Sequence, residues 1–153
     1  MTVDRIVVGI DGSEGAIRGL RWALEEAALH EAALELVHTY PQLEHTYPQP
    51  AAVDLPERGS LATEEELAIA KIEEVIDGAL TRAGGPGEVE IRRTVRPGSP
   101  AEVLCEVARD AGLLVVGARG LGGFRGLLLG SVSQQVIAHS PCPVAIITPR
   151  DDA

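Results

Sequence analysis

Six glycines crowd the stretch between residues 117 and 130, at Gly117, Gly120, Gly122, Gly123, Gly126 and Gly130, and Ser131 follows directly. Each glycine in an ordered loop costs backbone entropy, so their density implies a backbone that takes positive φ or lies close against something. The chemistry this supports is anion binding. Successive backbone N–H groups form a concave donor surface, and the loop runs into an expected helix N-terminus at Ser131, whose orphan donors and dipole favour phosphate. Helix capping by Ser131 is compatible with that role, since both use the same exposed end. Charge agrees: from Gly112 to Arg150 there is no Asp or Glu, although the chain holds 23, while Arg119, Arg125 and Arg150 make the segment basic. A second candidate is Asp11, in the Asp11-Gly12-Ser13 turn after an apolar run. It can face a ligand, or serve only the local turn-capping role that Asp often takes.

The glycine loop matches neither of the commoner phosphate binders. GxxxxGK[ST] is absent and the sole lysine, Lys71, falls in an expected helix; GxGxxG fails because Arg125 stands where the third glycine should be. No nucleophile elbow is present, since Gly12-Ser13-Glu14-Gly15 lacks one residue of GxSxG. His30, His38, His45 and His139 have no ligand spacing, so no metal site is expected. Cys105 and Cys142 form no CxxC and read as reduced packing residues.

The elements that must position these residues alternate between strand and helix. Arg5 to Ile10 is a short continuous apolar run, the pattern of a strand covered on both faces. Ser13 is placed to cap a helix whose inward stripe is Ile17, Leu20, Leu24 and Ala27 or Ala28, with Trp22 packing beside it. Leu34 to Thr39 is the second strand. Tyr40 to Ser60, with four prolines and no periodicity, reads as a long surface loop. Thr63 to Glu66 fits a capping box for a helix that buries Ile69, Ile72, Ile76 and Leu80 and stops near Gly84. Val89 to Val95 alternates apolar and charged residues, as an edge strand does. Ser99-Pro-Ala-Glu102 combines cap, N1 proline and N3 glutamate, predicting a helix with Val103, Leu104, Val107 and Ala108 inward and Gly112 capping its end. Leu113 to Gly117 is a buried fourth strand, Ser131 to Gln134 opens a short helix as a second capping box, and Val144 to Thr148 is the fifth strand. Such alternation implies an open, doubly wound parallel sheet with right-handed crossovers. Ligands of these sheets sit beyond the carboxyl ends of the strands, which places Asp11, Thr39 and the Gly117 loop together.

Composition sets the remaining bounds. At 153 residues and 45% hydrophobic content the chain is expected to fold as one domain, residues 1–153, without disulfides. Only 3% of residues are aromatic and the net charge is -10, which argues against nucleic acid as a partner. No signal-like or membrane-spanning apolar stretch is visible, and a cytoplasmic location without a membrane partner is expected.

These residues resemble the universal stress protein family, and specifically its ATP-binding branch. The carrying motif is Gly-x2-Gly-x9-Gly-(Ser/Thr), met by Gly117, Gly120, Gly130 and Ser131 after the fourth strand. The likeness extends over the whole chain, through Ile6 to Ser13, Arg21-Trp22-Ala23, His38 closing the second strand, Gly98-Ser-Pro100 and Pro141-Cys-Pro-Val144. It implies a Rossmann-like sandwich of the adenine nucleotide α-hydrolase type, with five parallel strands in the order 3-2-1-4-5. By the same resemblance, Asp11 with the backbone of Gly9 and Ile10 contacts adenosine and Thr39 holds adenine through its backbone. Gly117 and Gly120 lie against ribose and phosphate, Gly130, Ser131 and Val132 bind phosphates, and Val116 belongs to the same nucleotide-binding set. A phosphate role for Arg119, at a variable motif position, rests on its charge alone. The ligand implied is ATP with Mg²⁺, in a regulator of stress or growth with little or no catalysis. The family commonly forms homodimers through the last strand, here Val144, Ala145, Ile146, Ile147 and Thr148. A weak Mg-ATP hydrolase or phosphotransferase, and a nucleotide-free dimeric scaffold, are the alternatives.

Overall fold

The computed structural model describes residues 2–41, 59–120 and 129–149, with side-chain surroundings from residue 66 in the second stretch. Five strands form one parallel sheet: β1 (Arg5–Gly9), β2 (Ala33–Tyr40), β3 (Ile91–Pro97), β4 (Leu113–Gly117) and β5 (Val144–Ile147). Their order is β3-β2-β1-β4-β5, so chain direction along the sheet reverses between β1 and β4. That reversal is the switch point where the loops after β1 and β4 splay apart and leave a crevice. The order is the one the family resemblance implies.

Among the described residues four α-helices cover the two faces: α1 (Glu14–His30), α2 (Gly59–Arg82), α3 (Pro100–Val107) and α4 (Ser131–His139). The strands alternate their side chains between the faces, and the core divides accordingly. Ile6, Val8, Leu34, Leu36 and Val115 pack under α1 and α2, with Leu20, Leu24, Ile76 and Leu80 from the helices. Val7, Val37, Leu114 and Val116 pack under α3 and α4, with Val103, Leu104 and Val136. Trp22 is half-buried against the first cluster. Cys105 and Cys142 are free thiols against the second. Burial, and secondarily Cys142 nearby, push the Cys105 thiol up, which favours its protonated form.

Several local expectations shift. The first helix begins as predicted: Ser13 Oγ accepts from Ala16 N–H at 3.1 Å. Its buried stripe takes Ala27, with Ala28 exposed. The second helix starts four residues before Thr63, at Gly59, so the residues read as a capping box lie inside it; the Thr63 side chain is outside the described set. Ile69, predicted inward, is exposed, and Ala79 and Ala83 complete the stripe instead, because the apolar row continues on the helix's C-terminal turns. The strand read as Val89 to Val95 runs two residues later and, among the described residues, pairs on one side, with β2, as an edge. Ser99 stands at the N-cap of α3 with Pro100 at N1, but its hydroxyl makes no cap hydrogen bond. Gly112 does not cap α3, which passes into a 3-10 turn at Ala108–Asp110. The glycine is needed for packing: a Cβ there would stand 2.9 Å from the Val3 Cα. The fourth-helix capping box is displaced by one residue, as set out below. The predicted loop from Tyr40 to Ser60 lies, beyond Pro41, almost wholly outside the described residues, as do Gly122, Gly123, Arg125, Gly126 and Arg150.

Gly78 gives a simple test of the helix assignment. It lies inside α2, in the second-last turn, exposed, with nothing within 4 Å of where a Cβ would stand. Gly78→Ala is therefore expected to stabilise the protein by about 0.5–1 kcal/mol through helix propensity alone, read from the urea midpoint.

Candidate functional site

The β1–α1 turn begins the site. Ile10 N–H donates to Val37 O at 2.8 Å and so extends the β1–β2 ladder by one step. Gly12 then takes a φ of +80°, a region that a side chain resists, and this turns the chain back into α1. Asp11 Oδ1 accepts from Ser13 N–H at 2.8 Å, so the turn-capping role holds. The other carboxylate oxygen points at Gly120: a Cβ on that residue would lie 2.4 Å from Asp11 Oδ2. Asp11 therefore serves the turn and also meets the glycine loop across the crevice.

The end of β4 is built by close backbone approach. A Cβ on Gly117 would stand 2.6 Å from Gly15 C, and one on Gly15 would stand 2.3 Å from Arg119 O. The N-terminus of α1 thus rests directly on the chain leaving β4. None of Gly117, Gly120 and Gly130 has a positive φ. Of the two reasons for glycine, close approach is the one that operates at Gly117 and Gly120. At Gly117 what comes close is the Gly15 backbone, so this residue's lack of a side chain is explained by packing, separately from any ligand.

The fourth helix supplies the donors. Its N-cap is Gly130, which makes Ser131 the first helical residue and corrects the reading of Ser131 as a cap. The reason is Ser133, which is buried and whose Oγ donates toward Ala118 O at 2.9 Å and Gly130 O at 3.0 Å. Gly130 N–H donates to Ala118 O at 2.6 Å, and the Gln134 side chain bonds Leu129 O at 3.0 Å. These bonds clamp the segment before α4 against the end of β4. They leave the first N–H groups of α4 without intrahelical partners, as at every helix start.

These pieces enclose one cavity of about 300 Å³ at the carboxyl ends of β1, β2 and β4. Of the candidates within the described residues, it is lined by Gly9, Ile10 and Asp11 from β1 and its turn, Thr39 from β2, Val116, Gly117, Arg119 and Gly120 from β4 and beyond, and Gly130, Ser131 and Val132 at α4. Arg119 is half-buried and makes no hydrogen bond or ion pair among the described residues, whereas Arg93, on the remote edge strand, is held by Glu73 and Asp77, whose hydrogen bonds raise its pKa. Sequence reasoning missed the apolar wall, Val37, Leu104 and Pro100, because inward helix and strand residues carry no sign of which end of the core they face. It also missed a role at the site for His38, whose Nδ1 lies 2.7 Å from Ile10 O. Among the described residues no group of three or more His, Cys, Asp or Glu side chains is placed to hold a metal ion. No helix there is long and apolar enough to cross a membrane.

An open doubly wound α/β sheet with a crevice at its switch point and a helix N-terminus at the crevice floor is the class these features define. The family model for the universal stress protein family matches residues 2–148, and the chain belongs to that family. The universal stress protein Rv2623 of Mycobacterium tuberculosis is 36% identical over 149 residues, which is 95% of this chain and 48% of that protein. The chain thus spans about half the length of this relative, whereas it matches 96% of a universal stress protein of Thermus aquaticus at 33% identity, over 93% of its own length. Among solved structures, a universal stress protein in complex with cAMP superposes with a TM-score of 0.69 at 29% identity, covering 97% of this chain and 98% of the other. The universal stress protein from Archaeoglobus fulgidus in complex with dAMP has a TM-score of 0.66 at 24% identity, over 96% of this chain and 99% of that one, and bears on the fold.

Proposed function

We propose that this chain binds an adenine nucleotide, ATP foremost, and acts as a nucleotide-dependent regulator of stress or growth with little or no catalysis. The observation that carries the reading is the convergence of the family motif's glycines and Ser131 on the cavity that Asp11 and Thr39 line from the opposite side. Open N–H groups of α4 and the Arg119 side chain suit phosphates, and the apolar wall of Val37 and Leu104 suits a base. The cAMP complex of a relative supports an adenine ligand in this family. Among the described residues Asp11 supplies the one carboxylate that lines the cavity, so Mg²⁺ would take its ligands mainly from phosphates and water.

The same reading places the protein in the cytoplasm as a homodimer through β5. Among the described residues that strand pairs on one side, with β4, and its residues are half-buried. An apolar open edge favours a second strand beside it.

The test is direct. Purified protein is denatured, and released small molecules are identified by mass spectrometry; the emptied protein is titrated with Mg-ATP and with cAMP. Adenine nucleotide release, or saturable binding of Mg-ATP, is expected. No nucleotide and no binding would overturn the reading and leave a dimeric scaffold. Single-turnover hydrolysis by the wild type that is lost in Asp11→Ala, with binding retained, would make it an ATPase.

A further inference from the structure

We infer that His38 is a positioning residue that opens the β1–β2 ladder one step early and so hands the Thr39 amide to the ligand. The inference rests on the nucleotide reading for what the amide binds, and on the strand geometry for why the amide is exposed.

In a parallel pair, successive residues of one strand direct their N–H and C=O groups alternately to the two neighbours. On β2 the odd positions face β1: Ala33 N–H donates to Asp4 O at 3.1 Å, and Val37 O accepts from Ile10 N–H at 2.8 Å. Even positions face β3, as Leu34 N–H does toward Glu90 O at 2.9 Å. Thr39 N–H therefore points to the β1 side, where the next acceptor in the ladder is Ile10 O. A carbonyl oxygen can accept twice, but the bond that Ile10 O makes here is to a side chain instead. His38 Nδ1 sits 2.7 Å from Ile10 O, and since a carbonyl can only accept, Nδ1 carries the proton. Among the described residues no hydrogen bond joins Thr39 N–H to Ile10 O.

His38 reaches this position because it lies on the α1/α2 face of β2, in line with Leu34 and Leu36, half-buried beneath the β1–α1 turn. Its imidazole satisfies the last β1-side carbonyl before the chain turns at Gly12. Thr39 is left at the cavity rim with its backbone unspent. An N–H and a C=O two atoms apart match a flat heterocycle that presents a lone pair beside an amino group, as one edge of adenine does. The histidine needs no contact with the ligand to matter.

Three measurements test this. First, in 15N-detected spectra of the wild-type protein, the His38 Nδ1 is expected to be protonated. Second, the Thr39 amide is expected to exchange with solvent at least tenfold faster than the Val37 amide, and to slow in His38→Leu as Thr39 N–H closes onto Ile10 O. Third, His38→Leu is expected to weaken Mg-ATP binding about tenfold, and His38→Asn, whose Nδ2 can replace Nδ1, to restore most of it. A wild-type Thr39 amide as protected as Val37, or an unprotonated Nδ1, overturns the inference whether or not His38→Leu folds. Unchanged Mg-ATP affinity in a folded His38→Leu overturns it as well. If the wild type binds no adenine nucleotide while both spectroscopic results hold, the strand geometry stands and the nucleotide reading falls.

Discussion

Gly130→Asp is expected to lower Mg-ATP affinity by roughly a hundredfold or more while leaving the fold at least as stable. Gly130 is the N-cap of α4, with φ -76° and ψ 173°, a conformation open to any residue. A Cβ there would make ordinary contacts, 3.5 Å from Ala118 O and from Arg119 Cα. Asp is a better N-cap than Gly, because its carboxylate accepts from the open N–H groups of the first turn and complements the helix dipole. Those are the donors that a phosphate would use. The variant thus fills the phosphate position with a tethered anion, and the repulsion between like charges about 4 Å apart, at an effective dielectric constant near 20, is enough for the loss. Calorimetric titration with Mg-ATP, beside a urea melt of the same sample, separates the two effects. Undiminished binding would mean that phosphates do not sit at α4.

The second large effect concerns stability. Gly15→Ala is expected to cost about 3 kcal/mol or more, moving the urea midpoint down by about 1–2 M, because the new methyl would stand 2.3 Å from Arg119 O. That neighbour is backbone and cannot rotate away. Relief requires α1 to lift off the end of β4, which would also disturb Asp11 at the start of the same turn. Gly117→Ala is expected to behave alike, since its Cβ meets the backbone of Gly15 at 2.6 Å. An acidic substitution at Gly117 is therefore a poor probe of phosphate binding, and position 130 is the clean one. Melts of Gly15→Ala that match wild type would show that α1 and β4 do not meet as described.

Much of the fold was legible because its signals are local. The continuous apolar runs at Ile6 to Ile10 and Leu113 to Val116 announce strands covered on both faces, and alternating helices between them leave a parallel sheet as the economical topology. Ser13 before an amphipathic stripe, and Pro100 after Ser99, fix two helix starts within a residue. Where reading failed, several candidates competed on equal local terms. Gly130 and Ser131 are both acceptable caps, and the choice was made by Ser133, which reaches back to Ala118 across the loop. Ile69 fits a helical stripe as well as Ile72 does, yet Ile72 is buried and Ile69 exposed.

The sequence by itself determined the alternation of strands and helices along the chain, the presence of an anion-suited loop free of acidic residues, and the family motif that carries it. Periodicity, capping residues and charge are properties of neighbours in the chain, so they survive without coordinates. Only the tertiary structure decided which backbones touch: that Gly117 is small because Gly15 lies on it, that Asp11 faces Gly120, and that His38 takes the carbonyl that the Thr39 amide would otherwise use. Those are contacts between residues 28 to 109 positions apart along the chain, as the numbering of His38 with Ile10 and of Gly120 with Asp11 gives. Their energies depend on distances of a few tenths of an ångström, which no pattern of residue types encodes.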